Sequence, residues 1–211
     1  MMITVPKPEE EAVKELLSSL ALEADPFLID VNSGPDDLTN ECFENVNRKV
    51  AAAGGERIIG WQIWQHPYMI EAELHAVWQD ADGQFQDVTP KGLKTDRILF
   101  VPDRRQQPDG KQVNNKRVRT TTNLLADDFI ALAEAAFNLA NKGERASQTG
   151  EIKFTGAEAQ NWNAINGLMI RIDEMLCNNQ TRNSPCFCAS GNKYKHCHGK
   201  DLIFKLKHYK I

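Results

Sequence analysis

No apolar run in the 211-residue chain approaches the roughly 18 residues that carry a helix across a bilayer, which excludes a helical membrane span. The opening residues, Met1 to Glu11, contain neither a basic stretch nor an apolar one of the secretory type, so the sequence predicts a protein that is not exported. No internal repeat is found. Cysteine is scarce and odd in number: there are five, which argues against a disulfide framework and for a reduced, cytoplasmic protein. What remains is the composition of an ordinary soluble globular chain, enough for one domain or one domain with small appendages.

Charge is mildly negative in total, at −4, but unevenly spread. Residues 1–103 carry 19 acidic and 8 basic side chains. From Arg104 to Arg119 six basic residues face Asp109 alone, and from Lys193 to Lys210 six lysines face only Asp201. An acidic body with a basic linker and tail suits an acidic protein partner or RNA, although a solvated charged surface is the simpler explanation.

Periodicity divides the chain further. Residues 8–23 read as an amphipathic helix through Val13, Leu16, Leu17 and Leu20, and Asp36 to Ala53 as a second helix ending at Gly54-Gly55. Strand-like segments follow at 57–65, 70–79 and 84–88, the last two separated by the hairpin signal Asp82-Gly83, and at 97–101, read as an edge strand. Residues 103–121 are polar and loop-like. Two helices are expected over 123–142 and 155–178. The predicted fold is α+β: an antiparallel sheet with flanking helices, a helical extension and a C-terminal zinc knuckle. The expected units are a body over 1–102, a basic linker over 103–122, a helical segment over 123–182, and a knuckle with basic tail over 183–211.

The densest chemistry lies near the C-terminus, in Pro185-Cys186-Phe187-Cys188-Ala189-Ser190-Gly191-Asn192-Lys193-Tyr194-Lys195-His196-Cys197-His198-Gly199. A Cys-x-Cys pair and a Cys-His pair, separated by a turn at Ser190-Gly191-Asn192, supply sulfur and imidazole donors for one tetrahedral Zn²⁺. Four protein ligands leave no open coordination position, so the site is structural. His196 offers a second imidazole. The segment resembles the SEC-C motif, the zinc-binding tail of the translocase motor SecA and of many otherwise unrelated bacterial proteins. It departs from that pattern at Phe187, Ala189, Asn192 and His196. The resemblance implies Cys186, Cys188, Cys197 and His198 as ligands and a tail that docks onto a protein partner.

A second set of residues lies in the body. Cys42 falls near the start of the second helix, at the positive end of the helix dipole, where a thiolate is stabilised. His75 and Asp87 lie on successive strands. In a two-residue hairpin they are not cross-strand partners, though a longer turn or a bulge brings them near. The order helix-start Cys, strand His, next-strand Asp resembles the transglutaminase-like branch of the papain-like thiol fold. So do His75-Ala76-Val77-Trp78 and Asp87-Val88-Thr89-Pro90; Glu41-Cys42-Phe43 lacks the tryptophan expected beside the nucleophile. By that resemblance Cys42 is the nucleophile, His75 takes its proton and Asp87 orients the imidazole. The plainer readings are an inert core thiol in the stripe Cys42, Val46, Val50, Ala53, a satisfied sheet histidine, and a turn-capping aspartate. Trp61, Trp64 and Trp78 suit either a groove or a core, and Cys177 suits core or near-knuckle packing. The sequence thus favours a zinc-binding adaptor, with a thiol hydrolase or acyltransferase as the alternative.

Overall fold

The computed structural model describes residues 3–107, 110–148 and 152–208; Met1, Met2, Asp109 and Lys210 lie outside them. The fold is α+β, built on a six-stranded antiparallel sheet. In chain order the elements are α1 (Glu11–Ser19), β1 (Phe27–Asp30), α2 (Cys42–Ala53), β2 (Glu56–Gln65), β3 (Met69–Gln79), β4 (Phe85–Gln86), β5 (Arg97–Pro102) and β6 (Lys116–Arg119). Then come α3 (Leu125–Ala140), α4 (Gly156–Cys177) and α5 (Leu202–His208). The sheet order is β1-β5-β2-β3-β4, with β6 also on β3.

Two expectations change. Residues 97–102 do not form an edge strand: β5 lies between β1 and β2, and Ile98, Leu99, Phe100 and Val101 are fully buried. A continuous apolar run of this kind is what a strand covered on both faces requires. In the polar stretch read as loop, Lys116–Arg119 forms β6 and pairs with Met69–Ala72. Val118 packs at the margin of the sheet core, while Arg117 and Arg119 make ion pairs. Their charge hid the strand from a hydropathy reading.

Alternation along the strands gives the sheet two unlike faces. Trp61, Ile63, Ile70, Ala72, Leu99 and Val101 point to one side and are covered by Val13, Leu16 and Leu17 of α1. The other side of β2 and β3 carries Gln62, Trp64, Glu71, Glu73 and His75. The second edge of β3 is paired by β6 at Met69–Ala72 and by β4 at Trp78–Gln79. Residues 73–77 between them have no strand neighbour on that side among the described residues. α2 packs there, with Val46 against Ala76 and Val88.

α3 and α4 pack together in a helical layer whose core contains Leu125, Phe129, Leu132, Ile165, Ile172 and Leu176. The same core takes in Tyr68 and Met69 from the sheet and Cys186, Tyr194 and Leu202 from the C-terminal segment. Tyr194, fully buried, carries the C-terminal loop onto the helices.

Candidate functional site

α2 begins at Cys42 itself, later than the sequence suggests. Residues before it form turns, and Asn40 takes a left-handed conformation (φ 65°) that asparagine tolerates better than most residues. One turn into the helix, the fully buried Asn45 fixes this entry. Its Nδ2 donates to the Leu38 carbonyl at 2.7 Å, its Oδ1 accepts from the Leu38 N–H at 2.9 Å, and Nδ2 also reaches Thr89 Oγ1 at 3.4 Å. Cys42 is thereby held at the helix start, where unpaired backbone N–H groups favour negative charge.

The hairpin between β3 and β4 is one residue longer than the Asp82-Gly83 signal implies. Trp78 pairs with Gln86 and Gln79 with Phe85, and the Asp80 N–H donates to the Gln84 carbonyl at 3.0 Å. A shift of one residue exchanges the two faces of a strand. In a two-residue hairpin Asp87 would stand opposite Trp78, on the face away from His75. The observed register, continued one residue past β4, puts Asp87 on the face of His75. A parallel bridge to Val31, with the Asp87 N–H donating to the Asp30 carbonyl, keeps the segment there.

Asp87 Oδ1 lies 3.1 Å from His75 Nε2 and also accepts the Thr89 N–H at 2.9 Å. Its Oδ2 meets the Lys91 ammonium at 2.5 Å. Lys91 further donates to Gln62 Oε1 at 2.7 Å and lies 3.3 Å from His75 Nε2. Nε2 is committed to Asp87, and Cys42 lines the same cleft as His75, close enough to favour the imidazolium. The structure thus brings Cys42, His75 and Asp87 together. Burial pulls the His75 pKa down, but the hydrogen bonds to Asp87 and Cys42 and the Asp87 charge outweigh it and carry the imidazole up to about 9. For Asp87 burial acts upward, and His75 and Lys91 more than offset it, so its carboxyl stays below the usual range.

Cys42 and His75 line a cleft of about 410 Å³, together with Asn40, Gln62, Trp64, His66, Glu71, Glu73 and the Thr89–Leu93 loop, while Asp87 lies buried behind His75. Deeper in the cleft, Glu71 binds Arg117 Nη2 at 2.8 Å, His66 Nε2 at 3.1 Å and Asn115 Nδ2 at 2.9 Å. Burial raises the Glu71 pKa; His66, Arg117 and Asn115 overcome this and hold it low. Of the three tryptophans read as a cluster, only Trp64 lines the cleft. Trp61 is buried and donates to Asp103, and Trp78 donates to the Gly54 carbonyl. Cys177, expected in core or near-knuckle packing, is exposed.

Sequence reading passed over Asn45, Gln62 and Lys91. Asn45 carried a signal: it is a polar residue one turn from Cys42 on the inward side of an amphipathic helix. Gln62 and Lys91 carried none, because only the turn after Thr89 brings Lys91 to Asp87, and only the register of β2 brings Gln62 to Lys91.

At the C-terminal end, one donor atom from each of Cys186, Cys188, Cys197 and His198 lies within 4.8 Å of the others. Cys186 Sγ is 3.2 Å and Cys197 Sγ 3.5 Å from His198 Nδ1, and Cys188 Sγ is 3.5 Å from Cys197 Sγ. A tetrahedron with bonds of about 2.0–2.3 Å has edges of roughly 3.3–3.8 Å, so the three thiols and one imidazole fit a metal ion. His196 is not part of this group. Ser190 hydrogen bonds, from hydroxyl and backbone, lower the Cys188 thiol to about 6. Gly191 takes the positive φ expected of the turn, at 77°, and Ala189 does so as well, at 57°. At Gly199 a Cβ would fall 2.3 Å from the Tyr194 ring, so glycine is required where the chain passes that side chain.

The comparisons with known proteins bear on this C-terminal site. The chain is 26% identical over 161 residues to the protein translocase subunit SecA of Beijerinckia indica, a match covering 68% of this chain and 16% of that protein. No solved structure matches the chain. These matches do not carry the transglutaminase-like resemblance, so the grouping of Cys42, His75 and Asp87 stands on its geometry alone. The SEC-C motif matches residues 182–200, which contain the whole Cys₃His cluster and its turn.

Proposed function

We propose that this protein is a thiol-dependent acyl-transfer enzyme, a hydrolase or acyltransferase, with a zinc-loaded SEC-C knuckle as its docking module. One observation supports the first part: a buried imidazole held by Asp87 lines the same cleft as a helix-start cysteine. Cys42 Sγ, as thiolate, attacks the carbonyl carbon of a bound amide or ester. The S–C bond forms, the bond to the leaving group breaks, and the leaving amine or alcohol takes its proton from the His75 imidazolium. Water, or an acceptor amine, then attacks the thioester and gives its proton to His75, releasing the acyl product and the thiolate. Asp87 holds the imidazole by Nε2 throughout, and Lys91 and the Thr89 N–H fix Asp87 in turn. The test is a chromogenic acetyl ester: the protein should accumulate an acetyl group on Cys42, found by peptide mass, and Cys42→Ser should not. Turnover that persists in Cys42→Ser contradicts the reading.

The Cys₃His donor set supports Zn²⁺ over harder cations, since thiolates suit zinc and carboxylates suit magnesium or calcium. Bound there, the metal closes the loop between Cys186 and His198 and supplies ordering energy, with no open position for chemistry. The exposed Lys193 and Lys200 beside the cluster, together with the SecA similarity, support a knuckle that docks onto an acidic protein surface in the cytoplasm; RNA is the alternative partner. Zinc analysis should give one ion per chain. Cys197→Ser should lose the ion and any partner bound through the knuckle, while Cys42 chemistry persists.

A further inference from the structure

The cleft holds a carboxylate that its neighbours do not neutralise. Asp87 is paired with His75 and Lys91, and Glu71 with Arg117 and His66. Glu73 accepts one hydrogen bond, from Trp64 Nε1 at 3.3 Å, and makes no ion pair among the described residues. It is partly buried and lines the same cleft as Cys42 and His75.

Its position relative to the reacting groups is set by the strand. Glu73 and His75 are two residues apart on β3, so they share a face at a spacing of roughly 7 Å. Gln62 stands across from Glu73 and Trp64 across from Glu71. The indole N–H occupies one carboxylate oxygen and fixes its direction, leaving further acceptor positions toward the cleft. A substrate that fills the cleft strips water from this charge, which is costly unless the substrate supplies a cation.

Building on the thiol reading, we propose that Glu73 is a specificity-determining residue that selects substrates carrying an ammonium or guanidinium group about one residue from the reacting carbonyl. An acyl compound of this class places its carbonyl at Cys42 while its cation meets Glu73. A neutral compound of the same length leaves the carboxylate desolvated and unpaired, and an anionic one is repelled.

The experiment measures modification of Cys42 in the full-length protein, by peptide mass, with three methanethiosulfonates: ethylammonium, ethylsulfonate and uncharged methyl. The cationic reagent should react about tenfold faster than the anionic one. Glu73→Gln should erase most of this ratio and Glu73→Lys should invert it. Glu56→Gln, an equal change of net charge at an exposed position on β2, should leave it intact. An unchanged ratio in Glu73→Gln, with brisk uncharged modification of Cys42, overturns the role of Glu73 alone. Uncharged modification of Cys42 no faster than that of Cys177 overturns the thiol reading and this inference with it.

Discussion

Asp87 meets His75 across a diagonal of the β3–β4 hairpin, Oδ1 to Nε2 at 3.1 Å, and not as a direct cross-strand partner. The contact exists because the turn places Asp87 on the face of His75. Around it lie Cys42 on one side of the imidazole and Lys91 on the far oxygen of the carboxylate. Asp87→Asn keeps the shape but removes the charge that favours the imidazolium. The alkylation rate of Cys42 near neutral pH should fall at least about tenfold, measured against Cys177 in the same sample.

The raised pKa of His75 has a consequence for stability. The group binds its proton more tightly in the folded state than in the unfolded chain, where the value is 6.5. Its stabilising contribution is therefore fully present below pH 6.5 and is lost as pH rises through about 9. Urea midpoints should fall across that window. His75→Gln should flatten the fall.

Lys91 works against the imidazolium, since its positive charge lowers the His75 pKa. Lys91→Met should move the upper edge of the same stability window to higher pH. A shift to lower pH would mean that Lys91 supports His75 through Asp87 more than it opposes it by charge.

Ala189, one of the positions at which the segment departs from the SEC-C pattern, occupies a left-handed backbone position that favours glycine, at φ 57°. A Cβ there costs roughly 1–2 kcal/mol. Ala189→Gly should tighten zinc binding about five- to tenfold in a chelator competition. The reverse manipulation at Gly199, Gly199→Ala, should weaken it, because the new Cβ meets the Tyr194 ring.

Chelation should loosen more than the knuckle loop. Cys186, Tyr194 and Leu202 belong to the α3–α4 core, so metal removal should expose residues 182–200 to proteolysis and destabilise the helical layer. Cys42 alkylation should be unchanged.

Much of this was legible in the sequence, for identifiable reasons. The Cys₃His cluster is local, thirteen residues closed on a turn; spacing marks its three cysteines, and the SEC-C resemblance selects His198 over His196. The strands of the meander follow from apolar alternation and turn residues. The Cys42 constellation was legible only as an order of residue types, because its geometry depends on one extra residue in a turn, which reverses the face of Asp87. β6 was hidden because three of its four residues are charged, and Arg117 and Arg119 find their partners in Glu71 and Asp127. β5 was misjudged as an edge because its partner on the far side, β1, comes from a distant part of the chain. Lys91 reaches Asp87 from 4 positions away and Gln62 reaches Lys91 from 29 positions away, a meeting that no local pattern encodes.

The central claim is that Cys42 is a nucleophile activated by His75. Accessibility alone predicts the opposite of high reactivity, since Cys42 is 8% exposed and Cys177 is open to solvent. The direct measurement is the iodoacetamide rate at each of the two thiols near pH 7, in the native chain and in His75→Gln. The account predicts that Cys42 reacts about a hundredfold faster than Cys177 and loses that advantage without His75. Equal rates, or a fast Cys42 that is indifferent to His75→Gln, would contradict it.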